Sequence, residues 1–342
     1  MAKQSTVVAG KGSDSGAAMR QMTFAAVGAG FERYAKTTRR AACLAEMDKI
    51  VPWAELCALI EPHYPKPGNG RPPIPLQRML RIHFLQHWFN LSDPAAEEAL
   101  YESSTMRAFA GVDLGREPAP DETTICRFRH LLEAHGLGAS IFAAAHRHLE
   151  EKGLKVSTGT IVDATIIHAP SSTKNAEKAR DPEMQQTRKG NQWHFGMKLH
   201  VGTDVRGLVH HVRATPAGTA DVTQLPALLH GREQVRYGDQ AYWTEQHRRL
   251  WTLSGGQYRV NRRGTTAHPL TRRQRRQNRE RSRQRARGEH AFRVIKTLWG
   301  FTKVRYRGLY KNLVRAYAMF ALANLYLVRR RLLPRGATPR LT

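Results

Sequence analysis

One acid inside a strand constrains this chain more than any other feature. The run Thr160-Ile161-Val162-Asp163-Ala164-Thr165-Ile166-Ile167 is β-branched almost throughout and reads as a buried strand. A carboxylate held there is costly unless it is paired or binds a metal. Two further acids stand in similarly odd company. Asp239 ends the strand-like Val235-Arg236-Tyr237-Gly238, and Glu289 follows a stretch, residues 261–288, with eleven arginines and the single acid Glu280. Three isolated carboxylates on strand, strand and helix imply a metal-dependent, nuclease-like centre, with their side chains expected to converge.

Charge names the partner. The 342 residues hold 55 Lys and Arg against 28 acids, a formal charge of +27. Such an excess implies a polyanion, since neutralising phosphates releases counterions. The rival is an anionic membrane surface, but no apolar run reaches the roughly 18 residues a span requires. The longest candidate, residues 313–328, contains Arg315 and Asn324 and reads as a packed helix. Cys43, Cys57 and Cys126 are far apart and form no C-x-x-C pair, which argues against a zinc site or disulfide framework and fits a reducing cytoplasm. Residues 1–18 lack the apolar core of a signal peptide and read as a flexible extension, with Met19 or Met22 as possible natural starts.

Length suggests two domains. The expected division is a flexible extension over 1–22, a helical region over 23–150, a mixed α/β region over 151–335 and a flexible tail over 336–342. Residues 47–59 and 75–89 carry apolar residues at helical spacing. Ser92-Asp93-Pro94 and Asp121-Glu122-Thr123-Thr124 each open a further helix. These short helices with cationic faces fit a helix-turn-helix-like DNA-binding unit; a solvated helical bundle explains the same charges. From residue 158 the pattern turns to strands at 160–167, 193–201, 208–213, 234–238 and 257–262, with a helix over 221–229 and a long helix containing Glu289. Between the first two strands, residues 170–192 read as a polar loop rich in Lys and Arg, either plain disorder or a mobile DNA-contacting loop.

Paired Mg²⁺ ions, with Mn²⁺ as substitute, suit all-oxygen ligands and need acids converging from separate rigid elements. Asp204 and Asp221 rival Asp239 as the second acid. A hairpin turn accounts for Asp204, and capping-box spacing with Gln224 accounts for Asp221. On a continuous helix, Arg285, Arg293 and Lys296 share the face of Glu289. Exposed ion pairs there would be worth a few tenths of a kcal/mol each; a cationic ring would also keep Glu289 ionised and grip phosphates.

With these residues in view, the chain resembles DDE transposases of the insertion-sequence-five family, in the insertion-sequence-four-like group, over roughly residues 20–335. The stretches that carry the resemblance are Ile161-Val162-Asp163-Ala164-Thr165 with Ala169-Pro170-Ser171-Ser172-Thr173-Lys174-Asn175, Asp181-Pro182-Glu183-Met184, Lys189-Gly190-Asn191, Phe195-Gly196-Met197-Lys198, Ala220-Asp221-Val222-Thr223 and Glu289-His290-Ala291-Phe292-Arg293-Val294-Ile295-Lys296. Pro120-Asp121-Glu122-Thr123-Thr124 matches the helical N-terminal region. The resemblance implies an α+β chain, a helical N-terminal DNA-binding region followed by a ribonuclease H-like catalytic domain. It implies Asp163, Asp239 and Glu289 as the metal-binding triad, and phosphate contacts from Arg285, Arg293, Lys296, Lys189 and Lys198. It also implies double-stranded DNA partners (terminal inverted repeats and target), no membrane partner, and a homodimer or larger oligomer on DNA. The group's Tyr-x2-Arg-x3-Glu-x6-Lys signature is met at Arg285, Glu289 and Lys296, with Ser282 in place of the Tyr. Ala241 stands where a Gly usually follows the second acid. A catalytically inactive descendant, or a nuclease without strand transfer, are the alternative readings.

Overall fold

The computed structural model describes residues 37–333 apart from Arg71, Ser157 and Glu177. The expected N-terminal extension, the two candidate starts and the C-terminal tail lie outside the described residues. Among the described residues seven α-helices precede the sheet: α1 (Arg39–Ile50), α2 (Trp53–Ile60), α3 (Leu76–Trp88), α4 (Asp93–Glu102), α5 (Ser104–Ala110), α6 (Glu122–Ala134) and α7 (Leu137–Glu151). The helical run expected over 47–59 is split, because Pro52 has no N–H and biases Val51 away from helix. Ser92 caps α4 by accepting from the Ala95 N–H, and Asp121 caps α6 by accepting from the Thr124 N–H, as their positions predict.

The sheet follows: β1 (Gly159–His168), β2 (Gln185–Lys189), β3 (Gln192–Asp204), β4 (Val209–Pro216), β5 (Val235–Gly238) and β6 (Gln257–Val260). β1 pairs antiparallel with β3 and parallel with β5, which pairs parallel with β6. β2 and β4 both pair antiparallel with β3, along its outer edge. The order β4-β3-β1-β5-β6, with β3 the strand running against its neighbours on both sides, is a ribonuclease H-like sheet. β2 lies inside the polar loop expected over 170–192; its side chains are mostly exposed, so no apolar alternation announces it.

Four further α-helices belong to this half among the described residues: α8 (Glu245–Leu253), α9 (Arg272–Arg285), α10 (Glu289–Arg293), which runs into a π-helical turn, Val294–Leu298, and the long α11 (Leu309–Leu332). The helix expected over 221–229 is instead two short 3-10 turns, Asp221–Gln224 and Pro226–Leu228. Pro226 removes a donor from the middle of that segment. The long helix expected around Glu289 is also interrupted, by a turn over residues 286–288.

Alternation along β1 feeds two cores. Val162 packs with Leu225, Leu228, Tyr242, Tyr258 and Val260 on one side. Ile167 joins Met197, Leu199 and Val201 on the other, continuous with the helical region, Phe292 and α11. From Arg40 onward the helices and the sheet form one compact unit. α11 is the shared wall: Asn324 takes and gives hydrogen bonds at the Val209 backbone, and Arg315 donates to Asn90 from the helical region. Among the described residues no helix is long and apolar enough to cross a membrane.

Candidate active site

β1 and β5 run together only from Gly159 to Ile161, opposite Val235 to Tyr237. Carried two residues further, that register sets Asp163 level with Asp239, where β5 reaches its carboxyl end and leaves the edge of β1 open. Open sheets collect their sites there. Asp239 follows β5 at once, and its Oδ1 accepts the Ala241 N–H at 2.8 Å. Asp239 thus caps the 3-10 turn Gln240–Tyr242, a role that uses one carboxylate oxygen.

Glu289 begins α10. Its placement depends on Gly288, where a Cβ would stand 2.9 Å from Ile161 Cγ2 and 3.3 Å from Thr203 Oγ1. A side chain there would push the start of α10 off the sheet, so the close approach of Gly288 to β1 is what lets Glu289 reach the β1 edge. Arg285, at the end of α9, spans the gap. Its guanidinium lies 3.5 Å from Asp163 and 2.9 Å from Glu289.

Asp163, Asp239 and Glu289 line one cleft of about 490 Å³, together with Asp221, Arg188, Lys189, Lys198 and Arg285. Burial pushes the Asp163 carboxyl up to about 6, against the pull of Arg285 and the Ala164 N–H, and Asp239 and Glu289 push it the same way as burial. Three carboxylates that feel one another in a half-buried cleft form an all-oxygen donor set, which suits a hard divalent cation. Among the described residues no group of three or more His, Cys, Asp or Glu side chains is arranged to hold a metal ion as it stands. The cation between Asp163 and Glu289 here is Arg285, which offsets their repulsion.

The cationic candidates divide. Arg285, Lys189 and Lys198 line the cleft. Lys296 donates instead to Thr165 Oγ1 and the Ile166 carbonyl, bracing the open edge of β1. Arg293 is exposed and outside the cleft lining. The shared face expected of an unbroken helix holds only for Arg285. Ser282, where the signature has Tyr, accepts from Asn261 Nδ2 at 2.9 Å and ties α9 to the end of β6.

Two residues enter the site that their sequence context did not assign to it. Asp221 is not a cap, since Ala220 holds that position. It faces the cleft and accepts from Lys198 Nζ at 2.9 Å, with Nδ1 of the buried His200 at 3.8 Å. Tyr242 is buried, its hydroxyl has no hydrogen-bond partner, and Asp221, Asp163 and Asp239 all act on it to raise its pKa beyond what burial does. The place of Tyr242 three residues beyond Asp239 was the available signal for it, and the stretch Ala220-Asp221-Val222-Thr223, which carries the resemblance, was the one for Asp221. Asp204, the other rival, is a turn residue as expected, accepting from the backbone of Val156, Arg206 and Leu208.

Residues 31–131 match the family described as Transposase domain (DUF772). A solved structure titled as the Mos1 strand transfer complex is similar over 78% of this chain and 78% of its own, at 13% identity and a TM-score of 0.26. Residues 155–325, half of the 342, match the family described as Transposase DDE domain, and the chain belongs to the DDE transposases.

Proposed function

We propose that this transposase belongs to the insertion-sequence-five family, binds the terminal inverted repeats of its own element, cuts there and joins the ends to target DNA. The observation that carries the reading is the cleft itself: acids from β1, the end of β5 and the start of α10, rimmed by Arg188, Lys189 and Lys198. Asp163, Asp239 and Glu289 would hold Mg²⁺, or Mn²⁺ in its place. A bound divalent cation supplies Lewis-acid charge for phosphodiester chemistry.

The chain's own residues do the positioning, which dominates phosphoryl transfer. Lys189 and Lys198 hold the phosphates that flank the scissile bond. Arg285 lies between two of the acids and turns to the phosphate when their charge is neutralised. Lys296 keeps the β1 edge, and with it Asp163, in place. In the first step water attacks the phosphorus and the bond to the 3′ oxygen breaks, leaving a 3′-hydroxyl. In the second, that hydroxyl attacks a target phosphodiester and displaces the target's own 3′ oxygen, so one bond forms for each broken.

The helical region over 23–150 is the proposed reader of the element ends, and residues 151–335 the catalytic domain. Two ends must meet, which calls for a dimer or larger complex, acting at the nucleoid. A catalytically inactive descendant is the second reading, and the presence of all three acids speaks against it; a nuclease without strand transfer is separated only by a joining assay.

The test is Glu289→Gln, which keeps shape and removes one charge. Cleavage and strand transfer should collapse while metal-free DNA binding stays nearly intact, because an acid beside phosphate repels it. Asp163→Asn and Asp239→Asn should behave alike. Normal cutting by Glu289→Gln would sink the assignment.

A further inference from the structure

Arg285 and Arg287 stand two positions apart where α9 gives way to α10, and they enter different hollows. Arg285 lines the acid cleft. Arg287 lines a second hollow of about 310 Å³, together with Arg206, His290 and Arg331. Its floor is apolar, made by Leu208, Leu327 and Val328. The two hollows share no lining residue: Glu289 lines the first and the next residue, His290, the second. Among the described residues no acid lines the second, and its three arginines and His290 are all exposed. Like charges gathered in one hollow raise the local potential and draw an anion in.

The cluster is held together by the fold. Asp204 accepts the backbone N–H groups of Arg206 and Leu208 and so shapes the β3–β4 turn that carries Arg206. Gly207 in that turn has φ +91°, and a Cβ there would collide with the Arg287 carbonyl oxygen. Only glycine lets the turn lie this close to the end of α9, and the closeness brings Arg206 and Arg287 to one hollow. Arg206 donates to the Leu154 carbonyl and Arg287 to the Val205 carbonyl, each at 3.1 Å. A guanidinium has five N–H donors, so one such bond holds its direction and leaves capacity for a phosphate. The last turn of α11 supplies Arg331.

We propose that this hollow grips the phosphate backbone of the target DNA, apart from the element end held in the acid cleft. The proposal rests on reading that cleft as the joining centre. Joining brings two polyanions to one place, and each needs cations of its own to offset their repulsion. The hollow offers guanidiniums, an imidazole and an apolar floor, with no amide, hydroxyl or carboxylate. Such a set suits phosphates, which position DNA without reading it. It therefore fits the DNA that changes from one insertion to the next, while the element end is the one chosen by sequence.

The experiment uses the full chain with Mn²⁺, a labelled element end and a separate target duplex of unrelated sequence. Arg206→Gln combined with Arg331→Gln should cut the element end at the normal rate. Joining at limiting target should fall roughly tenfold and recover as target concentration rises, a change in KM for target rather than in kcat. Affinity for the target duplex alone, measured without metal, should lose about 0.9 in its salt slope for each phosphate no longer neutralised. Arg206→Lys combined with Arg331→Lys should keep most of the joining, because the charge survives. Unaltered joining and salt slope in the glutamine variant would overturn the proposal while leaving the Glu289→Gln test untouched. Equal loss of cutting and joining would also overturn it, assigning the hollow to the element end. So would a fall in sedimentation mass with joining intact, which would assign the hollow to an acidic surface of a second copy. Failure of the unaltered protein to cut at all would instead remove the reading of the cleft, and the proposal with it.

Discussion

Asp221 and Asp163 face the same cleft with different partners, and the difference decides what each can lose. Asp221 is already neutralised by Lys198 at 2.9 Å. Asp163 is shared between a guanidinium 3.5 Å away and two other acids. Asp221→Asn should therefore lower metal-dependent cleavage about 10–100-fold, as removal of an orienting partner does, with far less effect than Asp163→Asn. Equal loss from the two substitutions would promote Asp221 to a ligand, and Mn²⁺ titration of each protein would read it directly. Asp163 was legible because a charge in a β-branched run breaks its own pattern. Asp221 was not, because its local spacing had a sufficient explanation and its real partner, Lys198, lies 23 positions away on β3.

Arginine is concentrated on α9, and the element spends it unequally. Asn278, Arg281 and Ser282 fasten one side of the helix to Val260 at the end of β6 and to Asn261 and Arg262 just beyond it. Arg272, Arg273, Arg275, Arg276 and Arg279 lie toward the other end, and no residue of α9 is buried. Exposed ion pairs such as Arg276 with Glu280, at 3.4 Å, contribute little stability. If α9 grips phosphates, replacing Arg272, Arg273 and Arg276 with Gln should weaken binding to all DNA sequences alike. It should also flatten the slope of log affinity against log salt by about 0.9 for each phosphate no longer neutralised. An unchanged slope would make the strip a solvated face. Strong elements were readable from periodicity; β2 and α8 were not, because neither buries a residue fully. The break before Glu289 was also hidden. Glycine tolerates helix, and only the approach of Ile161 from β1 makes it the required residue there.

Across the molecule, histidines set the response to acid. Burial lowers His83 to about 3, His146 to about 4 and His210 to about 2, and His87 lies well below its ordinary value for the same first reason. Unfolded, each binds a proton near pH 6.5. Between that value and the folded one the unfolded chain holds more protons, so stability is present above pH 6.5 and lost as pH falls below it. Asp163, raised to about 6, and Asp204, also raised by burial, act with the opposite sign, against these four histidines and His200, which burial lowers to about 4. Lowering pH from 7 to 5 should cost on the order of a few kcal/mol, measured by denaturant unfolding at each pH. A flat profile would show that these side chains take up protons inside the fold as readily as in the unfolded chain.

The last long helix carries a consequence for how the protein is made. α11 packs against α7, made long before it, and against β4, and Phe320 on it meets Phe292 on the element that bears Glu289, ring centroids 6.0 Å apart. Every surface it covers is synthesised earlier, and ribosomes add only about 5–20 residues per second. A growing chain can fold its first helices, but the core shared by both halves stays open until residues near Leu332 have emerged. Competence to cut thus arrives late and all at once, and a chain interrupted before α11 leaves the ribosome without a finished cleft.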